Sequence, residues 1–380
     1  MKLYLIMNVR FPTEKAHGWQ IAKMCEAFLD LGYDITLVVP DRKNLIKESA
    51  KLYYGLKTDL PIIKLPVVDF LSSRFGRSRL GFFLMEWTFI RSVFHWAKRL
   101  PDEQAVVFTR DQFLAERFSK KAWKLALEIH DVSEGFFEKH QSLVRSVDLF
   151  VMTNAWKKQE AMRIWGTAVA DKTIVSPNAI DIAPYEQPIA KQKARQELGW
   201  DDALQYTVYT GHFYDWKGAY VLADASQKLN EEQRIVLIGG TDADFAKMQT
   251  YVKTHGLEKV LLIPHVPQAE VRQYLAAADC LALPNSGKSW HSRFTTSPIK
   301  LWEYLASKRP VIASDLPAIR ELVTEREVYF VPPDDADELA KAIHTAVKGD
   351  SVRVQAGFDL AVSNSWAQRA QKLSEVFKKL

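Results

Sequence analysis

Cysteine is nearly absent from this chain: among 380 residues only Cys25 and Cys280 occur, which excludes a disulfide framework and a cysteine-built zinc site. Each sits in an apolar run and reads as a small core hydrophobe. Long hydrophobic runs are missing too. The most apolar stretch, residues 80–90, contains Glu86 and is bounded by arginines, well short of the roughly 20 apolar residues that span a bilayer. The opening apolar run, residues 3–7, is shorter than the about 7 to 15 residues of a secretory h-region, so a cytoplasmic protein is expected. Glycine and proline, at 16 each, are too few for a collagen-like or linker-dominated chain. A strong charge of one sign is also lacking: 51 Lys+Arg against 46 Asp+Glu leaves +5, too mild to imply a nucleic-acid partner.

Several motifs are absent as well. There is no G-x-G-x-x-G fingerprint and no G-x-x-x-x-G-K-[ST] phosphate loop, which counts against the dinucleotide oxidoreductases and P-loop NTPases. No G-x-S-x-G elbow appears, against an α/β-hydrolase. The nine histidines show no H-E-x-x-H spacing, so no metal site is expected. Asp242-Ala243-Asp244 and Asp335-Ala336-Asp337 spell the paired acid of some metal-dependent transferases, but both lie in polar, turn-forming stretches and read as solvated loops.

What is present is a composition of 47% hydrophobic and 26% charged residues, that of a globular chain long enough for two domains. Residues 3–7, 34–39, 105–109, 125–129, 149–152 and 173–175 are short strand-like runs alternating with helical periods, beginning with a helix over 19–31. The chain turns polar around residues 177–192. Alternation then restarts with strand-like runs at 205–210, 234–238, 260–263, 280–283, 310–313 and 328–331, separated by helical periods such as 269–278 and 299–306. This predicts two doubly wound, Rossmann-like α/β domains with parallel sheets, over 1–185 and 186–362, and an amphipathic C-terminal helix in 363–380 that packs back on the body. Ligands of such sheets bind outside the carboxyl ends of the strands, and two such domains suggest a central cleft.

The loops after strands carry the candidate chemistry. Gly18 at a helix start reads either as room for a ligand hydroxyl or phosphate to approach the helix N-terminus or as an ordinary cap. His130 ends a strand and should face the ligand side. Lys217 follows a strand and glycine loop, where it could neutralise a diphosphate. Thr296 and Ser297 are expected N-cap residues with Pro298 at the first helical position, leaving backbone N–H groups for an anion. Glu303, one to two turns in, could accept hydrogen bonds from ribose hydroxyls. Residues 71–100 hold Arg74, Arg77, Arg79, Arg91, Lys98 and Arg99 against Glu86 alone, interleaved with Phe75, Phe82, Phe83, Trp87, Phe89, Phe94 and Trp96. That region reads either as a core helix with solvated ends or as a basic aromatic surface for anionic lipid.

The blocks Pro12-Thr13-Glu14-Lys15-Ala16-His17-Gly18, Glu128-Ile129-His130-Asp131, Ser176-Pro177-Asn178-Ala179-Ile180-Asp181, Trp216-Lys217-Gly218 and above all Ser297-Pro298-Ile299-Lys300-Leu301-Trp302-Glu303-Tyr304-Leu305-Ala306 resemble glycosyltransferase family 4, the retaining, nucleotide-sugar-dependent enzymes of the GT-B fold. The resemblance implies an acceptor-binding domain over 1–185, a nucleotide-sugar donor domain over 186–362, and transfer of a sugar from a nucleotide-diphosphate sugar to a glycan or lipid-linked acceptor in surface polysaccharide, lipopolysaccharide or glycolipid synthesis. It implies catalytic roles for His130 at the donor sugar and Lys217 at the diphosphate, with Gly18 near the phosphates or acceptor and Glu303 on the ribose. Backbone N–H groups around Ser297 and Ile299 would cradle phosphate, and His265-Val266 would edge the base. Two positions depart from the family pattern: Thr295 stands where the first glutamate of E-x7-E falls, and His212 where an arginine usually precedes the phosphate lysine. No cofactor or metal is required in the implied scheme, and peripheral contact with an anionic membrane through 71–100 is expected. A nucleotide-sugar 2-epimerase and a non-catalytic GT-B binding or scaffold protein are the alternatives.

Overall fold

The computed structural model describes residues 1–69, 79–101, 103–118 and 122–380. The chain divides into two compact units, Met1–Ser176 together with Trp366–Leu380, and Pro177–Ser365. Both are parallel sheets flanked by helices. The first contains, among the described residues, strands β1 (Lys2–Ile6), β2 (Asp34–Asp41), β3 (Ile62–Pro66), β4 (Ala105–Thr109), β5 (Trp123–Ile129), β6 (Leu149–Met152) and β7 (Thr173–Val175) in the order β3-β2-β1-β4-β5-β6-β7. Central strands are covered on both faces, so they read as unbroken apolar runs rather than alternating ones. In β1, residues Leu3, Leu5 and Ile6 have no exposed surface. Strand β3 was not expected from the sequence. It lies at the sheet edge against β2, where Lys64 is exposed and the strand ends on Pro66, so its apolar signal is diluted as edge strands allow.

The C-terminal helix Trp366–Phe377 belongs to the first unit. Phe377 stacks on Phe28 of helix Ala16–Asp30 at 5.8 Å, and Trp366 meets Trp19 edge-on at 6.1 Å. The Tyr33 hydroxyl donates to Ser374 Oγ at 2.7 Å.

The second unit carries β8 (Gln205–Thr210), β9 (Gln233–Ile238), β10 (Val260–Ile263), β11 (Cys280–Leu283), β12 (Val311–Ser314) and β13 (Tyr329–Val331) in the order β10-β9-β8-β11-β12-β13. Its core packs strand residues such as Val208, Val236 and Leu281 against Leu301, Trp302 and Leu305 of helix Ile299–Ala306. Cys25 and Cys280 are both buried in their cores.

Three local readings change. The expected division at 185/186 falls inside the second unit, because Ile180 already bridges to Ser365 and Asn178 is bonded to Ser297. Helix Ile299–Ala306 takes Pro298 as its N-cap, with no side-chain cap from Thr296 or Ser297. Ser297 Oγ instead accepts from the Asn178 amide at 3.1 Å, and Asn178 Nδ2 donates to the Ser297 carbonyl at 2.7 Å. The two Asp-Ala-Asp stretches are helix starts, not loops. Asp244 completes a capping box with Thr241 at helix Asp242–Thr254, and Asp335 caps helix Ala336–Ala346, so their charge serves the helix dipole.

In the region 71–100, helix Arg79–Ala97 buries Met85, Phe89, Ile90 and Val93 while leaving Leu80, Phe83 and Trp87 exposed. Arg74, Phe75 and Arg77 lie outside the described residues. Among the described residues no helix is long and apolar enough to cross a membrane.

Candidate functional site

In the second unit the carboxyl end of β8 runs into Gly211, His212, Phe213 and Tyr214, then a short 3-10 turn, Asp215–Lys217, and helix Ala219–Ala225. Two glycines fix this path. Gly218 has φ +71°, and a Cβ there would stand 1.8 Å from the Pro284 carbonyl oxygen; the close approach binds the turn to the end of β11. Gly211 has φ +125°, and a Cβ would meet Lys300 Nζ at 1.6 Å, so its missing side chain makes room for that ammonium.

Two lysines thus converge on the strand ends. Lys217 lies over the Trp216 ring at 4.1 Å, and burial lowers its pKa to about 8. Lys300 lies over the Tyr209 ring at 4.5 Å with Nζ 3.5 Å from the Tyr209 hydroxyl. Burial, and then the charge of Lys217, hold Lys300 well below the usual lysine range. Neither lysine has an ion-pair partner among the described residues. His212 stacks on Tyr214 at 4.8 Å and is lowered by burial, by Lys300 and by Lys217, so it is neutral at pH 7. The first turn of helix Ile299–Ala306, uncapped by any side chain, adds N–H groups and the positive end of a helix dipole. Lysines beside a helix start without a side-chain cap form a site for a multiply charged anion.

Of the other expected donor residues, Thr295 and Thr296 are buried, and Thr295 Oγ1 lies 2.6 Å from His291 Nδ1. Glu303 is buried in the same helix as Lys300 and, by its charge, works to raise that lysine's pKa. His265 and Val266 follow β10, with His265 exposed and close enough to His212 for its charge to act there. Asn285, after β11, is buried with neither amide atom hydrogen-bonded among the described residues.

In the first unit a cavity of about 400 Å³ opens at the ends of β1, β4 and β5, lined by His17, Glu86, Arg110, Asp111, Glu128 and His130 among others. Glu128 has no exposed surface. Its carboxylate meets Arg110 Nε at 2.9 Å, Arg369 Nη2 at 2.7 Å and His130 Nδ1 at 3.2 Å. Burial works to raise its pKa, but the two guanidinium groups and His130 outweigh that and hold it well below the usual range. His130 is lowered by burial and by Arg110. A neutral imidazole beside an ionised carboxylate carries its proton on Nδ1 and donates it to Glu128, which leaves Nε2 as an acceptor. The His130 carbonyl accepts from Lys157 Nζ at 2.7 Å. His17 is lowered to about 4 by burial, Arg110 and Lys15, so it too is neutral.

Gly18 is the third residue of helix Ala16–Asp30. A Cβ there would stand 2.3 Å from the Tyr54 hydroxyl and 2.4 Å from Thr13 Cγ2. That hydroxyl accepts from the Thr13 amide and donates to the Thr13 carbonyl, so the approach Gly18 permits is of the chain to itself.

Sequence reasoning missed Lys300, Glu86, Arg110 and Asp111. Arg110 and Asp111 directly follow β4, so the same rule that selected His130 would have reached them. Glu86 was visible only as a lone acid in an apolar helix.

Residues 205–348 match the family described as glycosyl transferases group 1. TuaC of Bacillus subtilis, whose name assigns it as a glycosyltransferase to teichuronic acid biosynthesis, is 26% identical over 56% of this chain and 50% of its own length. The phosphatidyl-myo-inositol mannosyltransferase of Mycobacterium leprae is 25% identical over 63% of this chain and 65% of its own. The chain therefore spans between half and two thirds of the length of these relatives. Among solved structures, Anabaena Alr3699/HepE in complex with UDP superposes with a TM-score of 0.76 at 16% identity, covering 100% of both chains. The apo lipopolysaccharide outer core galactosyltransferase WaaB gives 0.69 at 17% identity, again covering 100% of both. The chain thus has the GT-B fold along its whole length, and residues 205–348 of its second unit match the group 1 glycosyl transferases.

Proposed function

We propose that this protein transfers a sugar, with retention at the anomeric carbon, from a nucleotide-diphosphate sugar to a hydroxyl of a glycan or lipid-linked acceptor. The observation that carries this reading is the convergence of Lys217 and Lys300, neither of them in an ion pair among the described residues, on a helix start without a side-chain cap. A diphosphate supplies the missing charge. UDP in the HepE complex and the glycosyltransferase names of the relatives support the same reading.

In this reaction the acceptor oxygen forms a bond to the anomeric carbon as the bond from that carbon to the diphosphate oxygen breaks. The departing phosphate oxygen takes the acceptor proton. Charge develops on the leaving diphosphate, where Lys217, Lys300 and the N–H groups of Ile299 and Lys300 stabilise it. Metal is not needed in this scheme. His265 and Val266 edge the base, Glu303 holds the ribose, and Thr295, Thr296, Ser297 and Pro298 shape the phosphate loop. Neutral His130 offers Nε2 to a hydroxyl of the transferred sugar, held by Glu128.

The setting we infer is the cytoplasmic face of a membrane. Leu80, Phe83 and Trp87 are exposed on helix Arg79–Ala97, with Arg91 over the Trp87 ring at 5.7 Å, an arrangement suited to anionic headgroups. Reversing Arg91, Lys98 and Arg99 to glutamate is expected to abolish co-sedimentation with phosphatidylglycerol vesicles; unchanged sedimentation counts against membrane contact.

The test of the reading as a whole is thermal stabilisation by UDP, GDP and ADP, and by their sugar conjugates. One diphosphate series should raise the melting temperature of the wild type and leave Lys217→Ala unmoved. A well-folded protein that responds to none overturns the proposal and favours a binding or scaffold role. Consumption of donor with release of an epimer in the absence of acceptor would identify an epimerase instead.

A further inference from the structure

Glu128, near the end of β5, has no exposed surface, yet two guanidinium groups close on its carboxylate. Arg110 comes from the end of β4, with Nε 2.9 Å from Oε1, and Arg369 from the C-terminal helix, with Nη2 2.7 Å from Oε2. One guanidinium suffices to neutralise a carboxylate, and bringing a second into the interior is costly. Arg369 is itself buried. Its Nη2 also donates to the Ser176 carbonyl at 3.1 Å, and Lys372, further along the same helix, donates to the Val175 carbonyl at 2.9 Å. Phe377 on Phe28 and Trp366 against Trp19 hold that helix in place, so the guanidinium reaches Glu128 from a docked element.

The third contact of Glu128 gives the excess charge a consequence. Oε1 lies 3.2 Å from His130 Nδ1, and the His130 side chain, 22% exposed, lines the cavity at the strand ends. An imidazole paired with a carboxylate alone favours the imidazolium, whose charge the carboxylate stabilises. An imidazolium has no acceptor nitrogen. Here burial and Arg110 oppose that form, while Glu128 and Asp131 favour it. Lys157 meets the His130 backbone carbonyl at 2.7 Å, and His17, which lines the same cavity, is neutral. With Arg369 in place the Glu128 carboxylate is already matched, and the charge of Arg110 stands uncompensated within the buried cluster.

Resting on the glycosyl-transfer reading above, we propose that Arg369 is a positioning residue for sugar transfer: reaching Glu128 from the C-terminal helix, it keeps the His130 proton on Nδ1 and leaves Nε2 free to accept from a hydroxyl of the transferred sugar. Arg369 touches neither the sugar nor the diphosphate in this scheme. It acts through Glu128, which anchors the ring, and through the balance of charge around it. The C-terminal helix therefore contributes to the site as well as to the packing of the first unit.

The test is the titration of His130 in the nucleotide-free full chain, followed by NMR of isotope-labelled histidine rings and assigned by loss of the signal in His130→Asn. At pH 7 the wild type should carry the proton on Nδ1 with Nε2 unprotonated. Arg369→Gln should move the midpoint of the His130 titration up by about one pH unit or more, the scale for losing one opposing charge nearby. Arg369→Lys keeps the charge and should hold the midpoint within about 0.3 of wild type. The double variant Glu128→Gln/Arg369→Gln removes one charge of each sign, so its midpoint should return towards that of wild type. A helix that only packs would treat the lysine and glutamine substitutions alike. A proton on Nε2 in the wild type, an unmoved midpoint in Arg369→Gln, or a midpoint in Arg369→Lys or the double variant displaced as far as in Arg369→Gln overturns the proposal. If Arg369→Gln does not fold, the wild-type tautomer and the other two variants still decide. Nucleotide stabilisation of each variant reports separately on the donor site. If His130 follows Arg369 but no nucleotide binds, the glycosyl-transfer reading fails while the control of the histidine stands. If nucleotides bind and His130 is indifferent to Arg369, this inference fails alone.

Discussion

The two units are built on one plan and charged in opposite ways. Each places its first strand in the middle of the sheet, between the second and fourth, and each gathers functional side chains at the carboxyl ends of those strands. In the second unit the ends of β8 and β11 meet Lys217 and Lys300, two lysines with no ion-pair partner among the described residues. In the first the ends of β4 and β5 meet Glu86, Asp111 and Glu128, and the available guanidinium groups are spent on Glu128. The backbone architecture supplies a concave platform in both cases. What differs is whether the local charge is left open or closed by pairing.

The sharpest way to break the comparison is to disturb that pairing. Arg369→Ala should destabilise the first unit by about 3–5 kcal/mol, the range for stranding one member of a buried ion pair. Urea unfolding followed with first-unit tryptophans should detect it while nucleotide stabilisation of the second unit persists. Lys217→Ala should lower turnover about 10²–10³-fold, the scale for losing one group that stabilises a developing oxyanion, with little change in melting temperature. Glu86→Gln should work in the other direction and stabilise the protein by about 1–3 kcal/mol at pH 8.

The sign of that last effect follows from linkage. A carboxyl raised from 4.5 to about 7 in the folded state binds more protons folded than unfolded. Its contribution to stability is therefore lost as pH rises between those values. Wild type should lose stability over that window by more than Glu86→Gln does, which melting curves at a series of pH values would reveal. The smallest effect concerns the other unit. With Lys217 at about 8, nucleotide affinity should fall about fivefold between pH 8 and pH 9, as the ammonium that meets the diphosphate is lost. An affinity flat across that range would mean Lys217 does not contact the phosphates.

Local signals were readable wherever they were repeated along the chain. The apolar runs that became β4, β6, β7, β8, β10 and β11 begin and end where their composition says they should, because a strand covered on both faces has no reason to alternate. Lys217 and His130 were reachable for the same reason: each directly follows a strand or its turn. Lys300 was harder, since only its insertion against Gly211 distinguishes it from any helical lysine. The N-cap at Thr296 or Ser297 was misread because Asn178, far away in sequence, had already engaged Ser297.

By itself, then, the sequence determined two α/β sheets of parallel strands, the glycine turn before helix Ala219–Ala225, and the absence of a disulfide framework. These follow from periodicity and composition, which are properties of neighbouring residues. Only the tertiary structure decided which charges are free to act. Arg369 lies 241 residues from Glu128 and pairs with it, whereas Glu86 has no hydrogen-bond partner among the described residues. Pairing between distant charges depends on how helices pack on the sheet, and no local pattern along the chain encodes it.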